Sequence, residues 1–197
     1  MNVFVRQADV VEIACNAQSV NVISPLMTRS ATVFQERKEP LLTSMISPTA
    51  VLKQPTFYPL LLFSKYMREG VAVRAHVNSP TFKGETLPTW IGTVKGSPKE
   101  LDVSATIHGS SLRLAVVNRS ETQPHTVKLR VAFNGIKAGA QVEVHELWHA
   151  DVKATNAFGG NEDNVSTKTS RKEWDPSQPW TFREHSFTLL ILELESE

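Results

Sequence analysis

The chain has 197 residues, of which 41% are hydrophobic and 21% charged. These are ordinary values for a folded protein with one or two cores. The 21 Lys and Arg residues nearly balance the 20 Asp and Glu residues, so the net charge of +1 gives no electrostatic reason to expect a nucleic acid or an anionic membrane as partner. The single cysteine, Cys15, excludes an internal disulfide framework and a cysteine-rich metal site.

A helix followed by a strand is predicted first. Residues 2–17 place apolar side chains at helical spacing, with Cys15 expected as a buried thiol on that helix. Residues 19–24, SVNVIS, switch to β-branched side chains and end at Pro25, as a short buried strand does. A buried parallel strand needs neighbouring strands to pair its backbone groups. One helix–strand unit supplies no neighbouring strand. We therefore expect the chain to be the C-terminal part of a larger protein.

Short strands dominate the chain after residue 70. Apolar residues alternate with others in six stretches, which lie at 71–77, 101–107, 112–116, 127–133, 142–144 and 187–191. Turn residues separate them, among them Gly109, Gly135 and the pair Gly159-Gly160. This pattern predicts a mainly β fold, a jelly-roll-like antiparallel sandwich preceded by the helix–strand unit.

Several stretches resemble family 51 α-L-arabinofuranosidases, and most closely the fungal members. FVRQADVVEIACNAQSVNVISP (4–25) is similar to the last helix and eighth strand of their catalytic barrel. Landmarks of their C-terminal β-sandwich follow in the same order, namely TFYPLLLFSKYM (56–67), LDVSAT (101–106), LAVVNRS (114–120), LWHADVKATNAFGGN (147–161) and EHSFTLLILEL (184–194). Residues 1–28 are therefore expected to be a remnant of the barrel, 29–55 an irregular insertion or linker, and 56–197 the sandwich, beginning with a linking helix or loop at 56–69.

The resemblance implies a retaining glycoside hydrolase that removes terminal arabinofuranose from arabinose-containing plant polysaccharides or oligosaccharides. Such enzymes use two Glu residues at the carboxyl face of a (β/α)₈ barrel, and both lie on strands upstream of the position that matches Met1. The chain alone is therefore expected to be inactive. Gln18, in AQSVN, is implied to hydrogen-bond the sugar next to the scissile bond, whereas capping of a strand end is the simpler alternative. No cofactor and no metal are implied; the parent enzyme could form oligomers, and fungal members are often secreted.

The insertion is the main departure from the family pattern. Residues 29–46, RSATVFQERKEPLLTSMI, have no counterpart in the resemblance. A retained intron or gene-model error is favoured over a lineage-specific surface loop, because the family motif resumes directly afterwards. The amino terminus carries Arg6, Asp9 and Glu12 where a secretory signal needs an apolar run, so no signal is expected there.

Two other function classes are considered. His145-Glu146-Leu147-Trp148-His149 matches the zinc-peptidase pattern H-E-x-x-H, which needs a helix to bring both imidazoles to one metal. The preceding alternation predicts a strand, on which residues four apart are about 13 Å apart. A stand-alone carbohydrate-binding sandwich would need exposed aromatic residues in a row, and the candidates are Trp90, Trp148, Trp174 and Trp180. Asn118 and Asn164 stand in possible N-glycosylation triplets.

Overall fold

The computed structural model describes residues 1–16, 18–30, 48–82, 97–132, 135–137 and 139–195. The elements in chain order are α1 (Asn2–Arg6), β1 (Leu26–Ser30), β2 (Pro48–Lys53), α2 (Phe57–Leu62), a π-helical turn (Phe63–Met67), β3 (Val71–Val73), β4 (Leu101–His108), β5 (Ser111–Asn118), β6 (His125–Val127), β7 (Gln141–Leu147), β8 (Thr167–Glu173), β9 (Trp180–Phe182) and β10 (Ser186–Glu193). No helix in these ranges is long and apolar enough to cross a membrane.

A six-stranded antiparallel sheet forms the centre of the protein. Its strand order is β3-β4-β5-β10-β7-β8, so β10 pairs with β5 on one side and β7 on the other. Leu190 lies opposite Leu114 and Val144 in these two ladders. Two small antiparallel pairs, β1-β2 and β6-β9, complete the strands of the described chain. The predicted mainly β fold is confirmed.

Both faces of this sheet are covered, and the consecutive apolar residues of the central strand β10 place side chains on each face. On the first face, Leu190 and Leu192 pack with Phe182 of β9 and with Trp174. On the second face, Leu189 and Phe187 pack with Phe63 and other residues of α2 and the π-helical turn. Leu189 and Leu190 are both 0% exposed, so β10 contributes to both cores. The segment predicted at 56–69 as a linking helix or loop is thus helical over most of its length.

Some predicted strands are shorter in the structure, and four strands, β1, β2, β8 and β9, were not predicted. The stretch at 71–77 is a strand only over Val71–Val73, and of the described residues 127–132 only Val127 belongs to a strand, β6. β8 reads TKTSRKE and is exposed along almost its whole length. An edge strand with two solvated faces has no apolar alternation, and its charged residues discourage pairing with other chains. β9 has three residues, too few to show a period.

The helix and strand predicted at the amino terminus are wrong in most of their extent. The helix ends at Arg6, and Cys15 is an exposed thiol outside any helix. Residues 19–24 form a turn instead of a strand; Asn21 and Val22 have φ near 61° and 60°. Only Val20 makes a bridge, to Leu26. The physical reason is that a single strand without neighbouring strands cannot pair its backbone groups.

The short helix α1 nevertheless docks on the sheet. Asn2 is 4% exposed, and its amide donates to the backbone oxygen of Asp102 (2.9 Å) and accepts from the Ser104 hydroxyl (2.8 Å). Arg6 forms an ion pair of 2.7 Å with the Asp102 carboxylate. These contacts fix α1 against β4.

Part of the segment predicted as an irregular linker is regular. β2 lies within residues 29–55 and pairs with β1 in an antiparallel ladder. The amide of Asn156 is 8% exposed and ties this hairpin to the later loop, since it donates to the backbone oxygens of Lys53 (2.8 Å) and Val165 (2.9 Å). Residues 31–47, which include most of the proposed insertion, lie outside the described residues.

Candidate functional site

The residues around Gln18 form an exposed stretch of chain instead of a pocket. Gln18 is exposed and has a φ of 60°, a left-handed conformation that is uncommon for a residue with a side chain. Ile13 and Ile23 on either side of it are 81% and 85% exposed. Large apolar side chains so exposed in one segment are typical of a surface that another element covers. The substrate contact implied for Gln18 stays a prediction.

The adjacent acids Glu162 and Asp163 hold their own loop together. The Glu162 carboxylate accepts hydrogen bonds from the backbone N–H groups of Gly159 (2.8 Å) and Gly160 (3.0 Å). The hydrogen bond from Gly159 is the main reason why the pKa of Glu162 is lowered. Asp163 accepts the Tyr58 hydroxyl at 3.3 Å. Burial, followed by the Asp163 charge, raises the pKa of Tyr58. Both carboxylates therefore have structural partners, as expected for acids in a surface loop.

The H-E-x-x-H residues lie on and beyond a strand, as predicted. His145 is in β7 and 5% exposed, whereas His149 follows the strand and its Nδ1 accepts the backbone N–H of Asp151 (3.0 Å). Within the described ranges no group of three or more His, Cys, Asp or Glu side chains is placed to hold a metal. The zinc-peptidase alternative thus lacks the helix that it requires.

His145 belongs to a buried polar cluster that the sequence analysis missed. Its Nδ1 is 2.9 Å from the Thr169 hydroxyl, its Nε2 is 2.7 Å from a Glu143 carboxylate oxygen, and its ring lies 4.7 Å from that of Tyr66. Nε2 makes no hydrogen bond that meets geometric criteria, so Glu143 acts on the ring mainly through its charge. The alternation of β7 was the available signal, because Glu143 and His145 must lie on the face opposite Val142 and Val144.

Acid is expected to weaken the fold through His145. Burial lowers the pKa of His145, although the Glu143 carboxylate acts in the opposite direction and Lys65 adds to the decrease. The unfolded chain, with an ordinary pKa of about 6.5, then binds the proton more tightly than the folded chain. The free energy of unfolding should fall as the pH drops from about 6.5 towards the lower folded-state pKa.

Urea unfolding at several pH values tests this expectation, with His145→Gln as the comparison. The variant should lose less stability than the wild type across that range, because it lacks the titrating group. Identical pH slopes in both proteins, or a steeper slope in the variant, would contradict the assignment.

The tryptophan side chains do not form a sugar-stacking row among the described residues. The Trp148 ring has the Arg183 guanidinium 4.4 Å from its centroid and the His185 ring stacked at 6.3 Å. Trp174 is 7% exposed and part of the first core, and the Trp180 ring is covered by the Lys172 ammonium at 5.2 Å. Trp90 lies outside the described residues. The observed positions are those of packing residues, as aromatic side chains commonly are.

The two glycosylation triplets differ in environment. Asn118 is 1% exposed at the end of β5, and its amide donates to the backbone oxygens of Gln123 (2.9 Å) and Phe182 (3.2 Å). Asn164 is exposed in the bend before β8. Its amide donates to the backbone oxygen of Thr155 at 3.2 Å.

Together these contacts define a class of protein: a mainly β domain whose acidic, imidazole and indole side chains serve its own packing. Comparisons with known proteins identify the family of this domain. Residues 1–186 match the family model for the alpha-L-arabinofuranosidase C-terminal domain. The chain therefore belongs to the family of α-L-arabinofuranosidase C-terminal domains, as its resemblance predicted.

Fungal relatives extend over almost the whole chain. It is 40% identical over 191 residues to a probable alpha-L-arabinofuranosidase C of Aspergillus clavatus, an alignment that covers 96% of this chain and 32% of the relative. It is 38% identical over 192 residues to alpha-L-arabinofuranosidase C of Emericella nidulans, with the same two coverages, 96% and 32%. The chain thus spans about a third of the length of these relatives.

Solved structures share the fold. The alpha-L-arabinofuranosidase of Thermotoga maritima, in its arabinose complex, superimposes with a TM-score of 0.73 at 22% identity, covering 96% of this chain and 35% of that chain. The family 51 enzyme of Thermotoga petrophila gives a TM-score of 0.73 at 23% identity, covering 97% and 36%. At such identities the similarity establishes the fold alone.

Proposed function

We propose that this chain is the non-catalytic C-terminal portion of a retaining α-L-arabinofuranosidase, which releases terminal arabinofuranose from arabinose-containing plant polysaccharides. Family membership and length agree with this proposal, since the chain matches 32% of its fungal relative. In this proposal the nucleophile and the acid/base, two Glu residues, belong to the part of the enzyme that precedes the matched third.

The single observation that carries the proposal is the exposure of large apolar side chains in the N-terminal segment. Val10, Ile13, Val22 and Ile23 are 71%, 81%, 73% and 85% exposed. Burying such side chains is worth about 1.5–3 kcal/mol each, so a segment that leaves all four in water lacks a partner. We take residues 1–28 to be a remnant of the catalytic barrel, matching its last helix and eighth strand, 29–55 to be an insertion or linker, and 56–197 to be the sandwich domain.

Sequencing of full-length transcripts tests the proposal. Upstream of the codon for Met1, the mature message should contain an in-frame region that encodes seven further barrel strands and two active-site Glu residues. A message with an in-frame stop codon just before Met1 and no such region would contradict the proposal. The same reads decide the origin of residues 29–46, because a retained intron should be absent from most of the spliced molecules.

A further inference from the structure

We infer that Asn164 is an acceptor for an N-linked oligosaccharide and that Asn118 is not. Both asparagines stand in the Asn-X-Ser triplet that protein N-glycosylation requires, and the triplets are Asn118-Arg119-Ser120 and Asn164-Val165-Ser166. The sequence gives no reason to separate them, whereas their environments in the folded chain are opposite. The inference does not depend on the proposed function.

Asn164 offers its amide nitrogen at the surface. Its side chain is exposed in the bend before β8, and the amide makes a hydrogen bond of 3.2 Å to the backbone oxygen of Thr155, also at an exposed position. The next residue, Val165, is held in place, because it is 6% exposed and its N–H donates to the Asn156 amide oxygen at 2.7 Å. A sugar attached at Asn164 would project from an anchored bend into water and disturb at most one exposed hydrogen bond.

Asn118 offers no such access. It is 1% exposed, its amide nitrogen donates to Gln123 and Phe182, and its amide oxygen accepts the backbone N–H of Ser120 at 3.0 Å. A glycosidic bond replaces one amide hydrogen and places a bulky polar group on that nitrogen. A buried carbonyl would lose its donor, which is unfavourable, and the sugar would need the space that β9 occupies. A chain glycosylated at Asn118 should therefore not reach this fold.

The reaction is a group transfer that needs no oxidant or reductant. The Asn164 amide nitrogen forms a bond to the anomeric carbon of an oligosaccharide carried on a lipid diphosphate. The bond between that carbon and the diphosphate oxygen breaks, the lipid diphosphate leaves, and the amide loses one proton. The donor is a lipid-linked oligosaccharide of the secretory pathway, so the modification requires that the protein enters that pathway.

Secretion of the 197-residue chain from yeast behind a leader peptide tests the inference. Three proteins are compared, namely the wild type, Ser166→Ala and Ser120→Ala. Each variant removes one triplet but retains its asparagine and the donors and acceptors that the asparagine contacts directly, although Ser120→Ala also removes the hydroxyl that accepts the Gln123 N–H at 3.1 Å. Peptide mapping after treatment with an N-glycosidase identifies the modified asparagine, because the enzyme converts it to aspartate.

The wild type should carry one glycan, on Asn164. That glycan should be lost in Ser166→Ala and retained in Ser120→Ala. If export is poor, the protease-resistant protein from microsomes is mapped in the same way. A glycan on Asn118 in secreted or protease-resistant protein would overturn the inference, and so would an unmodified Asn164 in both the wild type and Ser120→Ala.

Discussion

Purified chain should hydrolyse an aryl α-L-arabinofuranoside no faster than buffer does. The two carboxyl groups of a retaining glycosidase supply a covalent nucleophile and a general acid. General acid–base catalysis alone contributes about 10²–10⁴-fold, and loss of the nucleophile removes the covalent pathway altogether. Glu162 and Asp163, the adjacent pair within this chain, are bonded to Gly159, Gly160 and Tyr58 instead of facing a sugar.

The measurement is release of the aryl leaving group by stoichiometric amounts of protein over several hours. The full-length Emericella nidulans alpha-L-arabinofuranosidase C, which is 38% identical to this chain, is the positive control. Chain that is folded, shown by a cooperative urea transition, and still inactive meets the expectation. Saturable turnover that increases in proportion to the chain and persists after repurification would contradict it.

The central sheet was predictable because its strands are buried. In β4 the apolar residues alternate with a period of two, whereas β5 and β10 contain continuous apolar runs because both of their faces are covered. β8 carried no such signal, since its residues are solvated on both sides. The pattern in a sequence thus reports burial, and it fails wherever a strand is held by backbone pairing alone.

The amino terminus was mispredicted for the complementary reason. Apolar spacing over residues 2–17 does fit a helix, but a helix of this length is stable in water only when its apolar face packs against something. Here only α1 finds a partner, through Asn2 and Arg6 on β4. Val10 and Ile13 remain exposed. The apolar spacing fits a helix that packs against a partner surface, and the described residues of this chain do not supply that surface for Val10 and Ile13.

The candidate sites also differ in how far local sequence could predict them. The spacing of His145 and His149 was sufficient to disfavour zinc, because strand geometry is local. The difference between Asn118 and Asn164 was not predictable, since the burial of Asn118 depends on Phe182, which is 64 residues further along the chain. Contacts over such a distance are set by topology instead of by the triplet.

Leu190→Ala should be one of the most destabilising single truncations in the sheet. Leu190 is 0% exposed in the middle of β10, opposite Leu114 and Val144, and it belongs to the first core. Truncating a fully buried leucine removes its transfer free energy and leaves a cavity, at a cost of about 2–5 kcal/mol. Domains are stable by about 5–15 kcal/mol in total, so the variant should lose a large share of its free energy of unfolding.

Urea unfolding followed by tryptophan fluorescence measures this loss as a lower midpoint with an unchanged slope. Two further variants make the comparison specific. Leu189→Ala, on the opposite face and also 0% exposed, should cost a similar amount if α2 and the π-helical turn form a true second core. Leu61→Ala, 46% exposed on α2, should cost less than about 0.5 kcal/mol. A small effect of Leu189→Ala beside a large effect of Leu190→Ala would show that only one face of the sheet is covered in solution.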